Sequence, residues 1–487
     1  MFDILVVYDN SPVPSNEIKS IVGEKSFGSI IFQKKSMRQH MYDALSSFAF
    51  VKDILEWDDH EVLPELMERL NGYGMETPVI HIYSDSAIAS LDNFEVLLQK
   101  VRYVKENIAV LAGKLTAIIF RDPQEYLKFL QQCLITKNSR LLPDYMQFES
   151  LKSGAFAWVG DPDIFLQCIT KGFDTRYFNL LSGDEYIITK TSANRQKIKS
   201  EYSYYHLLPE SMKIWFVMPF DYREDEKGAS YSMERYHITD LAIKWVNGSI
   251  SLKEFEKILN MAFYFVNRRS KKAITPEEYA RTSDGLYIEK LGMRIDQIKQ
   301  SGIYPAIHDF ILRGTHYPDI DAIVAEYKEL YEIIRRKVKY EPVSVIGHGD
   351  LCFSNMLYHS ETSTMKFIDV KGALTADEMW TDPYYDLAKL SHSICGRYDF
   401  FNSNLYDISL TADLQFRLSI DFDNSQYIEL FKRFLSENGY DYAAVRLFEA
   451  SLFLSMIPLH VDHPKKVFGF LLNAIEILKG VRQCLKK

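Results

Sequence analysis

The chain is 487 residues long, 47% hydrophobic and 14% aromatic, enough apolar material for two or three separately packed domains. Its net charge of −9 is spread along the chain and offers no basic face for nucleic acid. Five cysteines (Cys133, Cys168, Cys352, Cys395 and Cys484) show no paired spacing, which argues against a disulfide framework and for reduced thiols in a cytoplasmic setting. Residues 1–9 have no basic start and too short an apolar run for a signal peptide, and read as a first strand. The most apolar C-terminal stretch, residues 452–461, is about half the length needed to span a bilayer, so no membrane span is expected.

In the first 175 residues, apolar runs at 3–8, 28–33, 78–83 and 116–120 alternate with helical patterns at 61–72, 91–106 and 124–135. That alternation predicts an α/β domain with a mostly parallel sheet. Residues 78–83 end a buried strand just before Asp85, which reads as a helix cap, with metal ligation as the alternative. The layout resembles the nucleotidyltransferase and glycosyltransferase-A class, whose metal-binding Asp sits at such a strand end. The Gly-rich, basic loop that this resemblance requires after the first strand is replaced by residues 9–15, Asp-Asn-Ser-Pro-Val-Pro-Ser. Without backbone amides and a basic side chain for a triphosphate, the domain reads as a degenerate relative or a binding module.

Residues 185–190 form a β-rich run ending in Lys190, preceded only by Ser182-Gly183-Asp184 where a Gly-rich phosphate loop would stand. A helical stretch over 195–208 carries Glu201 among tyrosines, and Lys197 and Lys199 rival Lys190 because one sequence does not set the register. Residues 229–236 read as a strand leaving an acidic loop at 221–227 and running toward a helix that starts near Thr239 and Asp240.

The densest chemistry lies at residues 345–369. The run Val-Ile-Gly-His-Gly-Asp-Leu-Cys-Phe-Ser-Asn brings Asp350 to a loop and Asn355 five residues later, and a second apolar run ends at Asp369. A plain β-hairpin accounts for the turn residues but demands neither Asn355 nor Asp369. Phosphoryl transfer does: one Asp aligns the attacking hydroxyl, while the Asn and a second Asp hold Mg²⁺ against the ATP phosphates. Hard oxygen ligands suit Mg²⁺.

With HGDLCFSNML, FIDVKG and DPYYDLAKLSH on the page, residues 176–487 resemble the aminoglycoside phosphotransferase and choline kinase superfamily. They resemble more closely the kinase-like proteins encoded with bacterial capsule and surface-polysaccharide genes. That resemblance implies a bilobal, protein-kinase-like α+β fold with a helical C-terminal lobe, and domains at 1–175, 176–238 and 239–487. It implies ATP and Mg²⁺ as cofactors, Asp350 as the catalytic residue, Asn355 and Asp369 as metal ligands, and Lys190 held by Glu201 on the phosphates. Met233, Glu234 and Tyr236 would then contact adenine. Lys371 stands where members near this group carry Arg, so a phosphate contact there would lack the fork of a guanidinium. A small hydroxyl-bearing acceptor is expected, with polysaccharide-assembly enzymes as partners.

Past Asp369, residues 382–390 start a helix in which Asp386 anchors the catalytic loop, and His392 is given no chemistry. Helical periodicity recurs at 240–268, 318–339, 425–437, 441–457 and 464–485. Trp380, Tyr384, Tyr385, Tyr398, Phe400 and His460 are the candidate lining of the acceptor pocket by the same resemblance.

Overall fold

The computed structural model describes residues 3–74, 76–170, 179–183 and 186–486. Two compact units emerge, one of residues 1–172 with 247–249, the other of 173–246 with 250–487. The boundary expected between residues 175 and 176 lies outside the described residues, as do Asp184 and Glu185.

In the first unit the six residues of Ile4–Asp9 are all buried, as a strand covered on both faces requires. It pairs in parallel with Val51–Trp57 and Val79–Tyr83. The sheet continues through Lys114–Phe120, Ile108–Ala112 and Glu149–Lys152. Three of its five pairings are parallel, as the expected mostly parallel sheet requires, and two are antiparallel. Gly113, at φ +78°, joins Ile108–Ala112 to Lys114–Phe120. So short a connection permits only antiparallel pairing.

The strand expected at 28–33 is also corrected. Phe27–Ser29 is a helical turn, and Ile31–Phe32 folds straight back on Lys35–Ser36. Gln33 and Lys34 both take positive φ, which closes a tight hairpin and cuts the apolar run short. Asp85 is not a cap. Both its oxygens accept from Arg140 Nη2 and one accepts from Trp158 Nε1 at 2.9 Å, while Ser90 caps the helix Leu91–Val101. Burial raises the Asp85 carboxyl above its ordinary range.

The second unit opens with an antiparallel sheet in the order Asn179–Gly183, Ile187–Ser192, Ala229–Glu234, Pro219–Glu224. The acidic segment expected as a loop at 221–227 is largely the strand Pro219–Glu224, turning at Asp225 and Gly228. Asn194 caps the helix Arg195–Leu207 by accepting from Lys197 N. Its apolar face places Ile198 against Ala229 and Tyr231.

Beyond residue 238 most of the chain is helical, with a small sheet of Lys271–Ala273, Val343–Ile346 and Trp380–Thr381 and a hairpin of Met356–His359 with Thr364–Phe367. The apolar C-terminal stretch begins further upstream than its sequence pattern indicates. The window 442–459 is long and apolar enough to cross a bilayer, and 67% of it is buried within the structure. Cys133, Cys352, Cys395 and Cys484 are free thiols, and Cys352 is packed in the interior.

Phe94 is fully buried and meets Phe156 edge-on at 5.5 Å in the core of the first unit. Phe94→Ala is expected to cost that unit about 3–5 kcal/mol, read as a lower denaturant midpoint.

Candidate active site

Strand Val343–Ile346 delivers Gly347, His348, Gly349 and Asp350 into a loop whose backbone is gripped from below. The fully buried Asp386 accepts from His348 N at 3.0 Å and Gly349 N at 2.8 Å. Arg269, also buried, donates to Asp386 at 2.9 Å and to Pro383 O at 3.2 Å, so the charge taken from water is compensated. Tyr204 OH donates to Gly347 O at 2.7 Å. Gly349 sits at φ +81°, and a Cβ there would lie 2.5 Å from Lys371 Cβ.

The histidine tautomer follows from its bonds. Asp350 N donates to His348 Nδ1 at 3.1 Å, so that nitrogen is unprotonated, and Nε2 carries the proton toward Ile368 O at 2.9 Å. Burial lowers the imidazole pKa and keeps it neutral. This neutral ring thus ties the loop bearing Asp350 to the residue before Asp369.

Asn355 Nδ2 donates to Asp350 O at 2.8 Å and to Asp350 Oδ2 at 3.2 Å. With the nitrogen committed, the amide oxygen is the end that can meet a cation. Ile368 N donates to Asn355 O at 3.1 Å, which brings Asp369 alongside. On its other oxygen, Asp350 pairs with Lys389 Nζ at 2.9 Å. Desolvation works to raise the Asp350 pKa, yet Lys389 foremost holds it at about 2.

Asp369 adopts the left-handed region at φ +56°, tolerated by Asp more readily than by bulky residues. Lys190 Nζ donates to Asp369 Oδ1 at 2.8 Å and to Glu201 Oε2 at 2.6 Å, and Tyr231 OH donates to the same Glu201 oxygen at 3.1 Å. Burial alone would lower the Lys190 pKa, but the neighbouring anions, Asp369 foremost, raise it, so the ammonium stays charged. Among the three rival lysines, Lys190 is therefore the buried one. Lys197 reaches Glu201 only at 3.8 Å from an exposed position, and Lys199 is exposed. After Asp369 the chain presses on this helix: Ala373 N donates to Ser200 O at 3.0 Å. Gly372, at φ +87°, has room for no side chain, since a Cβ would stand 2.8 Å from the Ser200 backbone. Lys371 N donates to His348 O at 3.1 Å, and its exposed side chain lies over Gly349.

Asn355 and Asp369 are a hard-oxygen pair of the size Mg²⁺ takes from protein, the remaining ligands being phosphates and water. Among the described residues no group of three or more His, Cys, Asp or Glu is placed to hold a metal ion.

The segment 229–236 is partly engaged within the sheet. Met233 lines a small cavity with Glu201, Tyr231, Phe367 and Asp369. Exposed Glu234 pairs with Ile187, and Arg235 N donates to Tyr186 O at 2.8 Å, so that amide is unavailable to a purine. Tyr236 follows, with Lys366 Nζ 5.8 Å from its ring centre.

The six aromatic-pocket candidates divide. Tyr384 packs between Tyr340 and Phe448, Tyr385 against Tyr287, Phe400 on Phe422, and Trp380 lies in the small sheet. Tyr398 and His460 gather with His392 around Phe470 and Phe453. Lys389, Arg269 and Tyr204 escaped the sequence reading. The one available signal was that Lys389 follows Asp386 by three residues and shares its helix face.

No protein-family model matches the chain, and no curated protein matches it. Solved structures similar to it include an aminoglycoside phosphotransferase of Streptomyces rimosus in complex with ADP and streptomycin. That protein is 18% identical over 61% of this chain and 97% of its own, at a TM-score of 0.36. A thermostable aminoglycoside phosphotransferase mutant with ADP and hygromycin B is 12% identical over 62% and 92%, at 0.35. An ethanolamine kinase of Plasmodium vivax is 12% identical over 62% and 78%, at 0.34.

Two outcomes follow from the anchoring. Arg269→Leu leaves Asp386 buried without its cation and is expected to cost about 3–5 kcal/mol in chemical unfolding. The Asp350 carboxyl, depressed from 3.8 to about 2, contributes stability present above pH 3.8 and lost as pH falls through about 2. Carboxyl carbon shifts read by NMR should show that titration near 2, and Lys389→Met should move it upward.

Proposed function

We propose that residues 176–238 and 239–487 are the two lobes of an ATP- and Mg²⁺-dependent phosphotransferase acting on a hydroxyl of a sugar, polyol or amino alcohol. The supporting observation is that Lys190 meets Glu201 at 2.6 Å and Asp369 at 2.8 Å, while Asn355 meets Asp350 at 3.2 Å, the two groups being joined by Ile368 N donating to Asn355 O at 3.1 Å. A cytoplasmic role in bacterial capsule or surface-polysaccharide assembly, beside other enzymes of that assembly, rests on the sequence motifs. Residues 1–175 are a separate domain in this reading.

Lys190, steadied by Glu201, is the cation for the nucleotide phosphates. Asn355 and Asp369 would hold Mg²⁺, which would supply neutralisation of the phosphate charge. Asp350 aligns the acceptor hydroxyl. The acceptor's hydroxyl oxygen bonds to the γ-phosphorus as the bond from that phosphorus to the β,γ-bridging oxygen breaks. ADP leaves, and the hydroxyl proton passes by way of Asp350 to water. A carboxyl with a pKa of about 2 is a weak base, so its contribution is alignment more than early proton removal. Met233 to Tyr236 border the adenine site, and Lys371, held over Gly349, lies beside Asp350.

A second reading is a nucleotide-binding scaffold without transfer. It is favoured by the Lys190–Asp369 contact, in which a lysine engages an oxygen that a metal would require.

Asp350→Asn separates the two. Phosphotransfer with a panel of sugars, polyols and amino alcohols should fall at least about a thousandfold, while calorimetric affinity for Mg·ATP stays near that of the parent. Retained turnover in the purified variant contradicts the role of Asp350. Mg·ATP binding without turnover of any acceptor in the parent favours the scaffold.

A further inference from the structure

The phosphotransferase reading sets Asp350 two opposed demands. Its carboxylate must stay anionic to align a hydroxyl, and it must do so beside a γ-phosphoryl group whose oxygens carry negative charge through the transfer. Like charges brought together where water is displaced repel strongly, so a cation belongs at the carboxylate.

The loop supplies none. Between Asp350 and Asn355 stand Leu351, Cys352 and Phe353, all buried, and Ser354, whose hydroxyl lies 3.3 Å from Cys352 Sγ. The His348 imidazole is kept neutral by burial. Lys190 is engaged by Glu201 and Asp369, and Lys371 lies over Gly349 with its side chain exposed. The cation that reaches the carboxylate comes from another element. Lys389 Nζ, on the helix Tyr385–Ile394, is 2.9 Å from Asp350 Oδ1.

Two contacts then fix the carboxylate from opposite oxygens. Asn355 Nδ2 donates to Oδ2 at 3.2 Å, and the Lys389 ammonium holds Oδ1. A carboxyl group held at both oxygens is not free to turn about its own bond, yet each oxygen keeps a lone pair for an incoming hydroxyl. The Asp350 side chain is 40% exposed and that of Lys389 only 14%, so the carboxylate is open to a substrate while its counter-charge is sheltered from screening by salt. The same helix grips the loop backbone through Asp386 and Ser393, so one rigid element sets both the backbone and the ammonium.

We propose that Lys389 is a positioning residue for phosphoryl transfer, holding the Asp350 carboxylate in its aligning orientation and offsetting its charge against the γ-phosphoryl group. This rests on the phosphotransferase reading and adds to it a residue outside the loop and hairpin that carry Asp350, Asn355 and Asp369. Lys389 acts through Asp350, so its loss falls on the transfer step and leaves nucleotide binding to Lys190, Asn355 and Asp369.

The test measures steady-state transfer from Mg·ATP by the full chain, to whichever sugar, polyol or amino alcohol of the panel the parent phosphorylates fastest. Lys389→Met should lower kcat about a hundredfold, the scale of a misplaced aligning group. KM for ATP and calorimetric affinity for Mg·AMP-PNP should change less than about twofold. Lys389→Arg should recover kcat to within about tenfold of the parent, because a guanidinium can meet the same carboxylate. In the Asp350→Asn background, Lys389→Met should cost less than about threefold, since its effect runs through a carboxylate already removed. Lys389→Gln reads the same cycle if the Met variant does not fold. A parent that phosphorylates no compound contradicts the phosphotransferase reading, and the proposal with it. The proposal alone is overturned if the parent turns over and the uncharged variant keeps kcat within about threefold. It is equally overturned if that variant weakens Mg·AMP-PNP as much as it lowers kcat, or costs as much in the Asp350→Asn background as in the parent.

Discussion

A buried ammonium must be surrounded by anions or lose its charge, and that constraint organises the second unit. Lys190 meets it with Glu201 from a helix and Asp369 from the end of a hairpin strand. The helix Arg195–Leu207 must therefore lie on the sheet, and the chain after Asp369 must run close beneath it. Gly372 has no room for a side chain because of that second demand. The same closeness lets Ser200 O receive Ala373 N, so the charged contact and the backbone contact hold each other in place.

A second fixed point lies one layer below. The helix Tyr385–Ile394 spans the loop at 347–355 along a single face. Asp386 holds the amides of His348 and Gly349, Lys389 holds the carboxylate of Asp350, and Ser393 accepts from Phe353 N at 3.0 Å. Spacing of three and four residues puts these side chains in a row. The loop is thus aligned on a rigid element, the preorganisation that the proposed phosphoryl transfer would depend on.

The part of this site that was legible in the sequence is the part where chemistry dictates residue type and spacing. Asp350, Asn355 and Asp369 sit on one loop and one hairpin, so their relation is local. Lys190 was harder, because its inward turn depends on how Ile187–Ser192 pairs with Ala229–Glu234, while Lys197 and Lys199 lie on the helix Arg195–Leu207, whose buried face carries Ile198 and Glu201 instead. Lys389 went unseen because its partner lies 39 residues earlier in the chain and no motif links them. In the first unit, Ile4–Asp9 and Val79–Tyr83 were readable as unbroken apolar runs. Val51–Trp57 was not, since its polar residues break the run. Asp85 was misread because Arg140, its partner, is 55 residues away.

The central claim is that Asp369 and Asn355 hold a divalent cation against nucleotide phosphates. Its most direct test is the ATP affinity of the parent chain and of Asp369→Asn, each measured with Mg²⁺ and with chelator. The account predicts that chelation weakens binding to the parent about tenfold or more, and that this dependence largely disappears in the variant. Equal affinity with and without Mg²⁺ in the parent, or an undiminished Mg²⁺ dependence in the variant, would contradict it.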